Sequence, residues 1–411
     1  MTAKNAKILI IGGGFGGLFT ALDLVGAGDI TLLNDEDHFL FKPMLYEYLS
    51  GEVEAWHIAP ECRELLDEKV RFIRGVVTDV DLDGRAVTVE GRAEPLAYDV
   101  LVFSPGATTN YSGVAGAEQF SLPFRALNDA NRLRRRMTEA LDHVQPDAAP
   151  QDTRTALTFA VVGGGASGVE LSTKMADLLR DAVKRRALKG EPRVLIIEMA
   201  DRLVPGMGDE IRKFVENALH ESRIEVHTQT RVVSVTEKGM TLEHNQKQTE
   251  LETAGVVWVA GVRMSPLAES LKLEKDRRGL ILVEKTLQVR GYPNVFALGD
   301  AAFYADVAPT LAGTAQLALQ ESGLCARNVR AFIEGKPLKS KHFVELGEAL
   351  SLGTEHAAVL SAGQIIGGPL ARQARFAMYT ARLPTWHHRL KVGASWFFEG
   401  TQPRPLQPLG Y

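Results

Sequence analysis

The chain has 411 residues, 45% of them hydrophobic and 24% charged, which excludes global disorder and leaves room for two or three globular domains. Its 47 basic and 51 acidic residues give a net charge of −4, so nothing points to a nucleic-acid partner. Only two cysteines occur, Cys62 and Cys325, with no Cys-x-x-Cys, which excludes a disulfide framework or dithiol relay and points to a reducing compartment.

The first expected strand starts at about Lys7, leaving no room ahead of it for a secretory or transit peptide. The apolar run Ile8 to Ile11 opens directly into Gly12-Gly-Gly-Phe-Gly-Gly17 and a helical pattern. In that context Gly12, Gly14 and Gly17 turn the backbone tightly against a pyrophosphate, with Phe15 and Gly16 starting the helix that supplies N–H groups and positive dipole. A strand at Thr31 to Leu33 ends at Asn34 and Asp35, the corner that holds a ribose in such units. Shorter strands follow at Val70 to Val76 and Arg85 to Glu90, then a strand at Asp99 to Phe103.

A basic helix is expected from Leu127 to His143, its run Arg132 to Arg136 being a solvated face. The stretch Gln145 to Gln151, with two prolines, reads as a linker. The pattern then repeats: strand Phe159 to Val162, the loop Gly163-Gly-Gly-Ala-Ser-Gly168, a helix through Arg186, and strand Val194 to Ile197 ending at Glu198. Gly163, Gly165 and Gly168 fill the same three loop positions, and a carboxylate at 198 accepts from a free ribose 2′-OH and repels a 2′-phosphate, favouring NADH over NADPH. A further helix spans Asp209 to Ser222. Asn294 to Asp300 reads as a strand ending in Gly-Asp, where Asp300 can meet a ribityl chain and diphosphate beside the permissive Gly299.

The fold class expected is α/β, with two Rossmann-type dinucleotide domains, the second inserted in the first, and a C-terminal amphipathic segment. The expected boundaries are 1–150 for the first part of the first domain, 151–262 for the second, 263–335 for the return and 336–411 for the C-terminal segment.

Taken together, these segments resemble the two-dinucleotide-domain flavoproteins, and more closely the type II NAD(P)H:quinone oxidoreductases. The resemblance rests on both Gly-loops, Phe41 to Tyr46, Pro105 to Asn110, Gly163 to Glu170, Trp258 to Arg263, Leu298 to Asp300 and Ala315 to Gln320. Phe41 to Glu47 with Leu49 to Val53 and Ile58 to Pro60 looks most like the cyanobacterial and plastid branch, which acts on demethylphylloquinone among other quinones. It implies FAD contacts at Gly12, Gly14, Gly17, Asn34, Asp35, Lys42, Pro43, Val77, Gly106 and Asp300, with Ala315 and Gln316 under the flavin ring. NADH or NADPH is the implied donor, at Gly163 to Gly168, Glu198 and Gly261. Glu170 is implied near nicotinamide and flavin, and Gln316 and Gln320 along a quinone tunnel, both amides on one helix face. The chain departs from the family pattern at Ser104-Pro105-Gly106 and at Asn34. A soluble reductase of ferredoxin or monodehydroascorbate type, or a flavin-bearing redox sensor, fits the same core.

No metal is expected, because His38, His57, His356 and the pair His387-His388 lack ligand spacing with cysteines or acids. From Leu370 to Phe398 there are five basic residues and no acid. Leu370, Ala374, Ala377, Met378 and Ala381 form an apolar helical face, with Arg372, Arg375 and Arg382 elsewhere on the surface, followed by Trp386, Trp396, Phe397 and Phe398. Such a segment suits a membrane interface, and the plain alternative is a packing or homodimer helix. No apolar run reaches the length of a span, so the protein is expected to be peripheral, on the cytoplasmic side of a membrane.

Overall fold

A computed structural model describes residues 5–145, 147–305, 307, 311–361 and 364–406. Residues 1–4, 146, 306, 308–310, 362–363 and 407–411 of the segments named above lie outside that description. The chain forms two compact units: Met1–Phe41, Ile58–Thr108 and Val262–Leu346 in the first; Lys42–His57, Thr109–Gly261 and Gly347–Tyr411 in the second.

The first unit is built on a six-stranded sheet in the order Gln288–Val289, Tyr292–Ala297, Val100–Phe103, Lys7–Ile11, Asp29–Asn34, Val70–Arg74. Lys7–Ile11 pairs in parallel on both sides, Ile8 standing opposite Ile30 and Val100. Its residues 8–11 are all buried, as a strand covered on both faces requires, which is why it reads as an unbroken apolar run. The chain steps outward on one side of this strand and then returns to the other. That reversal places the topological switch point at its C-terminal end, where Gly12 begins. Residues Val77–Asp81, Ala86–Val89 and Leu96–Ala97 form a separate antiparallel sheet.

The second unit repeats the plan with a five-stranded sheet: Glu225–His227, Arg193–Ile197, Thr158–Val162, Gly255–Trp258, Leu122–Pro123. Here Thr158–Val162 is the central strand, paired in parallel with its neighbours on both sides. Helix Ala166–Arg185 covers this sheet, and an antiparallel meander, Arg231–Thr236, Gly239–His244 and Lys247–Glu252, packs Val232, Val235, Met240 and Leu242 into the same core. After a C-terminal meander, Glu348–Ser351, Ala357–Ser361 and Gln364–Gly367, come helices Gly368–Thr380 and Trp386–Glu399.

The second unit starts earlier than the boundary expected at 150. Leu122–Pro123 is the edge strand of its sheet, and Arg136 on helix Leu127–Asp142 donates to the Ala254 carbonyl at 2.6 Å. The helix ahead of the linker therefore belongs with the second sheet. Residues Lys42–His57 join the same unit, while the break at 261/262 lies one residue from the expected position.

The two Gly-loops close in the same way. A Cβ on Gly17 would lie 1.8 Å from the Gly12 carbonyl oxygen, and one on Gly168 would lie 1.8 Å from the Gly163 oxygen. By contrast, Gly14 and Gly165 have nothing within 4 Å. Gly168→Ala is therefore expected to destabilise the protein by about 1–3 kcal/mol through forced backbone movement, read as a lower urea midpoint. Gly165→Ala should leave the midpoint within about 1 kcal/mol of wild type; equal losses at both positions would contradict the loop geometry.

Candidate active site and dinucleotide cradles

In the first cradle Gly12 takes φ +99°, a region open to glycine, and its missing Cβ leaves space for the Ser104 carbonyl, which would lie 2.1 Å from it. The strand-end Asn34 accepts the Gly13 N–H at 2.7 Å, and its Nδ2 donates to the Glu36 carbonyl at 2.9 Å. The second cradle uses Gly163 at φ +115°, with Ala260 in the place of Ser104. Glu198 accepts the Gly164 N–H at 2.6 Å through Oε2 and the Ala200 N–H at 2.7 Å through Oε1. Asn34 thus performs the loop-holding bond that Glu198 performs, without charge. Each Glu198 oxygen keeps lone-pair capacity for a ribose hydroxyl.

Both loop helices, Phe15–Leu24 and Ala166–Arg185, begin with no side-chain cap and no acid in the first turn. Ser265, Thr314 and Thr385 do cap the helices that follow them. An uncapped N-terminus behind an open glycine leaves N–H groups and dipole for an anion. The FAD and nicotinamide diphosphates fit these two cradles on that ground.

Asp300 lies in the turn Gly299–Ala301, directly after Leu298. The side chain of Leu298 lies 3.2 Å and Ser104 Oγ 2.3 Å from where a Gly16 Cβ would stand. So the Gly-loop, the Ser104 corner and the Gly299 turn meet within the first unit. Gly106 takes φ +72° with open space around it, and Pro105 packs beside Gly12. Asp35 is exposed, with its carbonyl taken by Arg74 Nε at 3.1 Å. Val77 begins an antiparallel strand opposite Val89. In the second unit, Gly261 at φ +72° accepts the Asn110 N–H at 3.4 Å, and Trp258 Nε1 donates to the Asn110 and Ala260 carbonyls at 3.0 Å each. Lys42 and Pro43 also belong to the second unit, where the Pro43 carbonyl accepts from Arg375 at 2.9 Å.

Gln316 and Gln320 follow the half-buried Ala315 on helix Ala315–Ile333 of the first unit, and their amides do share a side. They address protein backbone there. Gln316 Oε1 accepts the Leu346 N–H at 2.9 Å, while Gln320 donates to the Val344 carbonyl at 2.8 Å and accepts its N–H at 3.2 Å. Gln320 thereby pairs with Val344 as a neighbouring strand would, a structural task its spacing did not disclose.

Glu170 is buried in the second unit at the end of an alternating chain of charges. Arg372 bonds Glu52 at 2.7 Å; Lys174 contacts Glu52 and lies 3.5 Å from Glu47; Arg375 bonds Glu47 at 2.6 Å and Glu170 at 3.0 Å. Glu170 Oε1 also accepts the Ser351 N–H at 2.8 Å. Burial pushes the Glu170 carboxyl up to about 7, against the pull of Arg375. The arginine is shared, and Glu47 is its nearer partner; Glu47 is buried too, yet Arg375 and Lys174 hold it below its ordinary value. Tyr46, also buried, is raised by desolvation and by Glu170.

Arg375 and Arg372 are thus not surface groups, contrary to the expectation for this helix. Ala371, Arg375 and Tyr379, spaced by four, face inward with Phe376, while Leu370, Ala374, Ala377 and Ala381 are exposed. Each arginine lies over a neighbouring ring, Arg372 4.8 Å from the Phe376 centroid and Arg375 4.7 Å from Tyr379. The i, i+4 spacing of Ala371, Arg375 and Tyr379 was the available signal.

The histidines differ in one respect from expectation. His38 lies 3.0 Å from Asp37 with Glu36 close by, but Arg74 already faces both acids, at 3.3 Å from Asp37 and 3.7 Å from Glu36. The two thiols are buried and unpaired.

Residues 6–321 match the family described as pyridine nucleotide-disulphide oxidoreductase. The chain is 36% identical over 408 residues to demethylphylloquinone reductase NdbB of Synechocystis sp., covering 96% of each. It is 31% identical to the type II NADH:quinone oxidoreductase NdhA of Mycobacterium tuberculosis, covering 95% of this chain and 86% of the relative. In structure it is similar to NDH2 from Plasmodium falciparum in complex with NADH, at a TM-score of 0.84 and 19% identity, covering 98% of this chain and 100% of that one.

Arg375→Met leaves Glu47 and Glu170 buried without their shared cation and is expected to cost about 3–5 kcal/mol in urea unfolding; a loss under about 1 kcal/mol would place the ion pair in solvent. The folded-state value of Glu170, about 7, lies above the ordinary 4.5. The folded protein therefore holds that proton more tightly, and this group's contribution to stability falls as pH rises across the window. Glu170→Gln should flatten that part of the stability profile. The chain belongs to the type II NAD(P)H:quinone oxidoreductase family, within the pyridine nucleotide-disulphide oxidoreductases.

Proposed function

We propose that this protein is an FAD-dependent NAD(P)H:quinone oxidoreductase that does not pump protons. The duplicated cradle carries this reading: two uncapped helix starts behind open glycines, each locked by the side chain at the end of the neighbouring strand. FAD, held by Gly12 to Gly17, Gly106 and Asp300, would supply the hydride-accepting and electron-passing chemistry that amino-acid side chains lack. Glu198 accepts from the free ribose hydroxyls of NADH and repels a 2′-phosphate. Gly163 to Gly168 receive the NADH diphosphate. Glu170, with Oε1 taken by Ser351 and Arg375, carries a proton on Oε2 near neutrality and can exchange it with a quinone oxygen. Support for the quinone comes from the relatives' substrates, demethylphylloquinone among them.

The test is anaerobic reduction by NADH followed by reoxidation with a panel of acceptors. Lipophilic naphthoquinones and benzoquinones should reoxidise the protein at least about tenfold faster than ferredoxin or monodehydroascorbate; the reverse order would favour the soluble-reductase reading, and a long-lived reduced state with every acceptor a redox sensor.

The membrane role of the C-terminal segment belongs to the same proposal. Among the described residues no helix is long and apolar enough to cross a membrane. The outward faces of the last two helices nevertheless expose Leu370, Trp386, Leu390, Phe397 and Phe398, each more than 60% accessible. Their other faces are committed: His388 and Val392 are buried, and Trp396 packs edge-on against Phe376 at 5.0 Å. A large apolar surface with Lys391 beside Trp56 and no acid between 370 and 398 suits the interface of a lipid leaflet. The enzyme would sit peripherally at the cytoplasmic face, taking quinone from the bilayer. Phe397→Glu with Phe398→Glu is expected to cut co-sedimentation with anionic vesicles at least about tenfold. Conversion of a dimer to a monomer, with vesicle binding kept, would instead make this surface a homodimer contact.

A further inference from the structure

Glu321 is a buried carboxylate that the proposed reaction does not use. It lies two turns into helix Ala315–Ile333, 1% exposed, and accepts the Gly299 N–H through Oε2 at 2.7 Å. Gly299 takes φ +70°, so the turn presenting Asp300 depends on a backbone shape that few residues other than glycine adopt. That turn stands against Ser104 and Ala318, each 3.8 Å from where a Gly299 Cβ would be. The Gly299 N–H is thus fixed by a side chain rather than by a sheet or helix bond.

The surroundings make the charge of Glu321 consequential. On the turn, Asp300 opposes its ionisation. On its own helix, Cys325 is fully buried and held protonated, its thiol raised by desolvation. From helix Phe15–Leu24, Thr20 packs nearby, bonded to the Gly16 carbonyl at 2.7 Å, and Asp23 lies near Gly323, its charge partly answered by Arg330. No lysine or arginine among the described residues acts on Glu321 itself. Its carboxyl is pushed up to about 8, by burial first.

We propose that Glu321 is a positioning residue for the flavin dinucleotide: through the Gly299 N–H it sets the turn that aims Asp300, and when ionised it adds a second negative charge behind Asp300 that weakens retention of the dianionic diphosphate. The inference rests on the flavin reading of the first cradle. Below the titration of Glu321 the neutral acid accepts the N–H at no electrostatic cost to the ligand. Above it, the buried carboxylate adds its charge behind Asp300, and the linkage requires retention of the diphosphate to fall as pH rises.

The test follows release of FAD from the purified holoenzyme on dilution, read by the rise in free-flavin fluorescence, between pH 6.5 and 9.5. Wild type should release FAD at least about threefold faster at pH 9 than at pH 7. Glu321→Gln, which keeps an acceptor for Gly299, should release it slowly at both. Glu321→Leu should release it at least about tenfold faster at both, because the Gly299 N–H loses its partner. A flat wild-type profile overturns the proposal whatever the variants do, as does a Glu321→Gln profile that keeps the wild-type slope. Glu321→Leu matching Glu321→Gln at pH 7 overturns the positioning role. A preparation with no flavin to release, and none taken up from added FAD, overturns the flavin reading itself.

Discussion

The structure depends on a backbone-to-backbone closure made twice. In each Gly-loop the first glycine's carbonyl lies where the last glycine's side chain would begin, at 1.8 Å from an added Cβ. Only that approach lets the helix start directly over the central strand, with its first N–H groups unclaimed. Asn34 and Glu198 pin the loops from the neighbouring strands, and Asp300 arrives on the turn that follows strand Tyr292–Ala297, from a distant part of the chain. Uncapped starts also occur at helices Asp209–Glu221 and Gly368–Thr380; what distinguishes the two loop helices is the close-packed Gly-loop before each, with open space at its middle glycine, which leaves their first N–H groups to an anion. They make sense as receptors for diphosphates.

A second constraint governs the C-terminal part of the second unit. Three carboxylates and three cations, alternating from Arg372 to Glu170, are buried together. Desolvating such groups is expensive, and hydrophobic replacements of the same shape would often be as stable. The charge chain is better understood through what it does for Glu170. Arg375 lies nearer to Glu47, so the terminal carboxyl is left close to neutrality in its protonation while remaining oriented by Ser351. The helix that delivers Arg375 inward displays Leu370 and Ala374 outward. Its two faces thus connect the buried acid to the surface proposed to meet lipid.

Much of this was legible in the sequence, and what was missed has identifiable physical causes. The central strands, both loops, Glu198 and the Gly299-Asp300 turn are set by local rules: apolar runs of strand length, glycines where positive φ or close approach is needed, a polar residue at a strand end. The helices Leu127–Asp142 and Asp209–Glu221 came within a residue of expectation. Long-range pairing was not legible. Leu122–Pro123 is a two-residue edge strand whose sheet membership is set by Gly255–Trp258, more than a hundred residues away, so the unit boundary moved from 150 to 108/109. Arg375 was read as a surface group because an arginine in an amphipathic helix usually is one; its partners Glu47 and Glu170 come from separate helices, and no local pattern announces them. The bonding of the Gln320 amide to the backbone of Val344, 24 residues on, was not legible in its helical spacing either.

The two cradles differ in one chemically useful way. The first is held by a neutral amide and the second by a carboxylate, so a diphosphate in the first meets less repulsion from its own loop. That asymmetry suits a permanently held cofactor in the first cradle and an exchanging one in the second. The most direct measurement is the flavin and nicotinamide stoichiometry of the purified protein. One FAD per chain should remain after gel filtration, its absorbance bleached anaerobically by about one equivalent of NADH, with NADH itself lost on the column. Protein that emerges colourless, and stays so after incubation with excess FAD, would contradict the paired-cofactor reading.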